Sequence, residues 1–448
     1  NVNDRFIFIY LTGRDPDDSG VIVGFSQSSN PNTTWKVYYL DGNPLGDNTW
    51  TDYPQIAINN HSLYLSLNQL YPDSSWITGF SQTIIWQMDL ASAYAGNSEL
   101  PVKLWSGANF QGSKLRYLRP AKSGLGPDAD DMYFVANRPF DLENDSIFIV
   151  HLTGDVFDEN GTMTTDLAIS NIKYGLPPNA NQPGGSVFLT NDARALGAVR
   201  IQNEIQFVGN TIDPNTGNVG VYHGVIEDVT NPTVEATIIA DPSMDYGYPN
   251  IAFMGEYIEN RDVVIFFDHS SNTDFAGNSA VFFNSSREYG PIKTLATGEA
   301  PVDMLTGNEE RWGDYSGCQR KFNEVSTAWV AGYYGHGNNR AGTWISEISG
   351  RNSTPQGLSE STKRTEFSVY PNPTQDFVSL VFEMPSSQKA KVYITDINGK
   401  IVHMLAQDKL NAGKNELNLS LAPLTSGTYF LIIESSSGQI LNQKLLKN

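Results

Sequence analysis

Three carboxylates sit in a short motif that recurs along the chain. Asp52 opens Asp52-Tyr53-Pro54-Gln55-Ile56-Ala57, while Glu310 and Asp314 belong to the stretch ending Arg311-Trp312-Gly313-Asp314-Tyr315-Ser316-Gly317. Two carboxylates facing one cleft can hydrolyse a glycosidic bond, one as proton donor and the other as base or nucleophile. The counter-reading is structural, because a residue that returns with a repeat is expected to serve the repeat. Other acidic residues cluster in loops: Asp15, Asp17 and Asp18; Asp128, Asp130 and Asp131; Asp155 and Asp158 with Asn160. Oxygen-rich loops of this kind suit calcium, the one cation the chain suggests, although none follows the twelve-residue calcium loop. The same residues equally make solvated turns. No cofactor is otherwise indicated.

Other chemistries find less support. His61, His151, His223, His269 and His336 are scattered with no zinc spacing. Cys318, the single cysteine, has no histidine close in sequence and is expected as a small buried residue. Gly332-Tyr333-Tyr334-Gly335-His336-Gly337 reads as a loop, not a nucleotide site, since no strand leads through it into a helix. Aromatic rings could stack on sugars. Most of the eight tryptophans are expected to pack in cores, whereas Tyr333, Tyr334 and Trp344 stand near Gly-rich turns and form a candidate ligand platform.

These residues must be carried by strands. Short apolar or alternating runs recur with turn residues between them, as in Gly20–Phe25, Ile56–Leu67, Ser146–Leu152, Ala198–Val208 and Val263–Phe267. Helical periodicity is nearly absent, so the chain reads as all-β. Asp52–Ala57 is echoed by Gly247-Tyr248-Pro249-Asn250-Ile251-Ala252, and each copy precedes a strong strand. The copies lie 195 positions apart, or about four blades of roughly 45–50 residues, which predicts a β-propeller of about seven blades over 1–350. A Tyr-Pro pair suits the first residue of a strand. A pair of two-sheet sandwiches is the alternative. Residues 351–365 are polar and aperiodic and read as a linker. From 366 to 448 five alternating runs return, with Asn398-Gly399 as a hairpin turn between two of them, predicting a small Ig-like β-sandwich.

Charge separates the two parts. The chain has 29 basic and 49 acidic residues, a net charge of −20, and residues 366–448 carry equal numbers of each sign, so the front part holds the whole excess. Such a surface repels phosphate backbones, so nucleic acid is not expected as a partner. No apolar run approaches the ~20 residues that span a bilayer, so no transmembrane segment is expected. The numbering begins at Asn1 without an apolar leader, so any signal peptide is expected to lie outside it.

Two resemblances sharpen this reading. Phe367-Ser368-Val369-Tyr370-Pro371-Asn372-Pro373-Thr374, then Val392-Tyr393-Ile394-Thr395-Asp396-Ile397-Asn398-Gly399-Lys400, then Leu424-Thr425-Ser426-Gly427-Thr428-Tyr429-Phe430 and the tail Gln443-Lys444-Leu445-Leu446-Lys447 follow in order. This series resembles the type A C-terminal sorting domain of Bacteroidetes type IX secretion cargo. The resemblance implies a secreted or cell-surface protein that passes the periplasm and outer membrane. It also implies that residues 366–448 are recognised by the type IX translocon and its outer-membrane β-barrel shuttle. The residues it singles out are Pro371, Asn372, Pro373, Asp396, Gly399, Gly427, Tyr429, Gly438, Lys444 and Lys447. The two lysines could equally be an ordinary solvated strand end.

The second resemblance is shorter. Ser28-Ser29-Asn30-Pro31-Asn32-Thr33-Thr34-Trp35 has the spacing of the Asp-box of sialidase-like propellers, with Asn30 in place of Asp and Asn32 in place of Gly. In that family the box is a folding hairpin, so it supports the fold and not an activity. A sialidase would need three arginines on the substrate carboxylate. Arg116, Arg119, Arg138, Arg194, Arg311 and others are present, yet no local pattern marks a triad. The propeller is therefore expected to bind a glycan or a surface protein, with a sialidase-like glycoside hydrolase as the alternative.

Overall fold

A computed structural model describes residues 5–126, 129–350, 368–384, 387–396, 400–435 and 440–448. The chain divides into two compact units, 1–351 and 352–448. The expected linker 351–365, Asp128, Gly399 and Gly438 lie outside the described residues.

The first unit is a β-propeller. Blade 1 is Ile7–Thr12, Gly20–Ser26 and Trp35–Asp41; blade 2 is Trp50–Ile58, Ser62–Leu70, Phe80–Asp89 and Val102–Ser106. Blade 3 is Arg119–Pro120, Met132–Ala136, Asn144–Leu152 and Met163–Tyr174; blade 4 is Ala195–Ile201, Glu204–Ile212, Val219–Ile226 and Val234–Ile239. Blade 5 is Asp245–Phe253, Val263–Ser270, Gly277–Phe283 and Lys293–Ala296; blade 6 is Gly317–Arg320, Thr327–His336 and Arg340–Ser349. Each is an antiparallel meander; blades 3 and 4 also join edge to edge at the parallel pair Ser170↔Val234, and the short strand Lys122–Ser123, just after the first strand of blade 3, pairs in parallel with Ala195–Ile201 of blade 4.

The cores lie between successive blades. Val21, Val23 and Phe25 pack on Leu63, Leu65 and Trp86; Tyr64 and Ile85 on Phe134 and Phe148. Val135 and Ile149 pack on Ile205 and Phe207, Val199 and Val221 on Ile251 and Phe267, and Val264 and Phe266 on Ala328 and Val330. Strands buried on both faces, such as Ser62–Leu70 and Val263–Ser270, follow from this stacking, which removes both faces of a blade from water. The end blades differ. Phe8, Tyr10, Val37 and Tyr39 on blade 1, and Trp329 and Ile345 on blade 6, are exposed.

Among the described residues six meanders stand where the motif spacing suggests about seven. The two close copies of the motif fall in blades 2 and 5, three blades apart rather than four. The assumed repeat length was too short because loops and small strands lengthen the path, among them the helix Leu90–Ala95 and the stretch between Ser106 and Arg119. Pro54 and Pro249 also sit inside their strands rather than at the start. Each lies at a bulge, where the register breaks between Asp52 and Gln55 and between Gly247 and Asn250.

The second unit is a β-sandwich. Ser368–Tyr370, Phe377–Met384 and Gly413–Ser420 form one sheet. Ile401–Leu410, Gln388–Thr395, Gly427–Ser435 and Ile440–Lys447 form the other. Val378, Leu380 and Phe382 from the first meet Val392, Ile394, Leu431 and Leu445 from the second. Among the described residues no helix is long and apolar enough to cross a membrane.

Candidate functional site

The starts of the inner strands converge on one cavity of about 1050 Å³. Blade 1 contributes the loop with Arg14, Asp15 and Asp18; blade 2 contributes Trp50, Asp52 and Tyr53, with Trp76 from its hairpin loop. Arg116 and Tyr117 come from the approach to blade 3, Asn191 and Arg194 from the approach to blade 4, and Arg311, Asp314 and Tyr315 from the approach to blade 6.

Backbone strain helps to aim these groups. Tyr53, Tyr117 and Asn191 have φ of 61°, 57° and 61°, in the left-handed region that non-glycine residues rarely occupy. Tyr248, the blade 5 counterpart, has φ 49°; its hydroxyl donates to Leu189 O at 2.9 Å and the residue is buried. A left-handed residue thus stands near the start of the inner strand at four blades. The two Tyr-Pro copies and the looser stretch Arg311–Gly317 were legible as a repeat, whereas Arg116-Tyr117-Leu118 and Asn191-Asp192-Ala193 share little sequence with them.

The mouth is aromatic. Tyr53 stacks on Tyr315 at 5.2 Å and meets Tyr117 edge-on at 5.1 Å. The Arg194 guanidinium lies 3.7 Å from the centre of the Tyr117 ring and 4.6 Å from that of Tyr53. Arg194 is bound bidentately by buried Asp192, both bonds at 2.6 Å. Burial would lower the guanidinium's pKa, but Asp192 more than reverses this and the charge is secure. Arg116 donates to Trp76 O at 2.6 Å and Ile77 O at 3.1 Å, holding the loop that carries Trp76. Arg311 pairs with Asp314. Four arginines therefore line the mouth, and three of them, Arg116, Arg194 and Arg311, already have a partner.

The carboxylates differ in environment. Burial raises the pKa of Asp52, helped by the charge of Asp314 and opposed by the N–H of Tyr53, which donates at 2.8 Å. Asp314 is held by Arg311 and by Asn191 Nδ2 at 2.9 Å. Glu310, the third carboxylate of the motif, is buried and accepts from the N–H groups of Met304 and Leu305 at 2.8 and 2.9 Å. It serves a loop and does not line the cavity.

The proposed aromatic platform is divided. Tyr333 and Tyr334 are adjacent on one strand and so point to opposite faces. Tyr334 packs against Trp344 at 5.5 Å, while Tyr333 meets Phe188 edge-on at 5.6 Å. None of the three lines the cavity.

The acidic loops bind themselves. Asp18 Oδ1 accepts from the N–H groups of Arg14 and Asp15, Asp155 from that of Phe157, and Asp158 from that of Asn160. Asp131 joins His151 at 2.8 Å and also pairs with Arg200. Among the described residues no three His, Cys, Asp or Glu side chains gather as metal ligands would. Cys318 is buried between blades 5 and 6, where burial pushes its thiol up to about 12. The Asp-box segment is the hairpin between two strands of blade 1: Asn30 Oδ1 accepts from Asn32 N at 3.0 Å, and Trp35 Nε1 donates to Pro31 O at 2.8 Å.

In the sandwich, most of the described singled-out residues gather around the last strand, and Asp396 lies apart from it. Asn372, between Pro371 and Pro373, donates from Nδ2 to Lys444 O at 2.6 Å and accepts at Oδ1 from Leu446 N at 2.8 Å. Its amide thus imitates a neighbouring strand. Lys447 is buried, donating to Leu421 O at 2.6 Å and pairing with Asp376 at 3.3 Å. Lys444 is exposed. Tyr429 donates its hydroxyl to Thr425 O at 2.9 Å across the turn containing Gly427. Asp396 accepts from Lys400 N at 3.0 Å at the hairpin end.

Residues 368–448 match the family model of the secretion system C-terminal sorting domain. The match covers the sandwich and marks the protein for export to the cell surface or for secretion. No curated protein matches the chain. Among solved structures it is similar to the Bombyx mori GH32 β-fructofuranosidase BmSUC1 (11% identity over 89% of this chain and 87% of that one, TM-score 0.31). It is also similar to the exo-β-1,3-galactanase of Phanerochaete chrysosporium (11%, 94% and 90%, 0.31) and to the Synechocystis apocarotenoid oxygenase (9%, 91% and 73%, 0.34). At these scores the likeness carries no argument about activity.

Proposed function

We propose that the protein is type IX secretion cargo whose propeller recognises a glycan in the cavity at its mouth. One observation carries this reading: aromatic faces and hydrogen-bonding carboxylates, contributed by separate blades, line the same cavity. Sugars present apolar C–H faces and hydroxyl edges, and this lining matches both. Because Arg116, Arg194 and Arg311 are already engaged, Arg14 alone does not make the arginine triad that a sialic acid carboxylate calls for, and the cavity suits neutral sugars better. The sandwich, Ig-like in this reading, delivers the protein to the translocon and its barrel shuttle through the final strand and the Pro371-Asn372-Pro373 clamp.

Hydrolysis is the second reading, and the meeting of Asp52 and Asp314 in one cavity favours it. Two carboxyl groups facing one cleft are the pair glycosidic cleavage requires. Incubation of the full chain with a panel of neutral and sialylated glycans, read by mass spectrometry, tests both readings. Intact neutral glycan retained by the wild type and lost in Trp76→Ala would support recognition. Cleavage products abolished by Asp52→Asn would establish the hydrolase. No neutral glycan retained or cleaved would sink the proposal.

A further inference from the structure

Two half-buried cations, Arg119 and Lys122, stand on short inner strands of blades 3 and 4, and among the described residues neither has an anionic counterpart. Lys122 belongs to the short strand Lys122–Ser123 on the inner edge of blade 4, and its Nζ donates to Cys318 O of blade 6 at 2.8 Å. Its ammonium therefore reaches from one blade's inner strand to that of another two places on. Arg119 lies three residues earlier, on the inner strand of blade 3. Its Nε is shut off from solvent with no acceptor. The groups that act on its charge are the phenols of Tyr53 and Tyr315, which line the mouth above, and the guanidinium in turn acts on Lys122.

Among the described residues no carboxylate pairs with either cation, although Arg194, Arg200 and Arg287 each have one. A chain with 49 acidic residues does not lack candidates. Nearby blade 2 adds more donors: the Tyr53 hydroxyl and Gln55 Nε2 are buried and unpartnered. Two like charges half-buried within each other's reach are costly, and the cost falls when an anion sits among the donors.

We infer that a small inorganic anion of the halide class binds between Arg119 and Lys122, at the inner strands of blades 3 and 4. The anion completes the charge balance that the chain's own carboxylates leave open, and so ties blades 3, 4 and 6 together.

The test uses the full chain. Its thermal midpoint is followed while sodium gluconate is replaced by sodium bromide at constant ionic strength. The propeller transition should rise saturably with bromide, and Lys122→Met should raise the half-saturating concentration about tenfold or more. Crystals grown in bromide should show an anomalous peak between the two side chains. A midpoint indifferent to the exchange, a saturable rise unchanged in Lys122→Met, or a wild-type bromide map without that peak would each overturn the inference. The map needs no variant, so it decides the matter even if Lys122→Met fails to fold.

Discussion

The propeller mouth and the last strand of the sandwich use polar side chains in opposite ways. In the sandwich, Asn372, Lys447 and Tyr429 spend their hydrogen bonds on fastening a strand, over a span of some eighty residues. At the mouth, side chains from five blades, drawn from Leu11 to Tyr315, face one cavity, and several keep hydrogen-bonding capacity for something else. The contrast teaches where to look for function. A region that consumes its own polar groups is recognised through its shape, and a region that leaves them facing a cavity is built to take a ligand.

The largest effect that would break this comparison is at Arg194. Arg194→Met strands buried Asp192 without its cation and should lower the stability of the propeller by about 3–5 kcal/mol. Calorimetry of the full chain should show the propeller transition fall while that of the sandwich stays. Next comes Asn372→Ala, which removes two hydrogen bonds to the final strand and should cost the sandwich about 2 kcal/mol. Here the sandwich transition alone should move, and export should drop in a secretion assay. Equal loss from both transitions would show that the two regions are not independent.

A third test is by pH. Burial would raise the Asp131 carboxyl, but the bonds from His151 and Arg200 outweigh it and bring the pKa to about 2. Its stabilisation, about 2 kcal/mol, is present above the ordinary carboxyl value of 3.8 and is lost as pH falls towards 2. Asp131→Asn should remove that part of the acid sensitivity. Asp268 runs the other way. Buried and held by Tyr333 N and Asn278 Nδ2, it has its pKa pushed well up by burial, so its contribution declines as pH rises from 3.8 upward. Asp268→Asn should flatten the alkaline side of the curve of thermal midpoint against pH. The smallest effect sharpens the site itself: Trp344→Ala should leave glycan retention unchanged, because Trp344 does not line the cavity.

The sequence by itself determined the local features. Alternating runs with turn residues between them specify strands, and the ordered series from Tyr370 to Lys447 identified the sorting domain, because both signals are carried by neighbouring residues. The Tyr-Pro copies marked equivalent positions for the same reason. Tertiary structure alone decided the number of blades, because loops of unequal length separate meanders of similar size. It alone brought Asp52 to Asp314, 262 positions away, and Lys122 to Cys318, 196 positions away. Closing such distances depends on how each blade stacks on the next. That stacking is a sum of many weak apolar contacts, and no single motif records it.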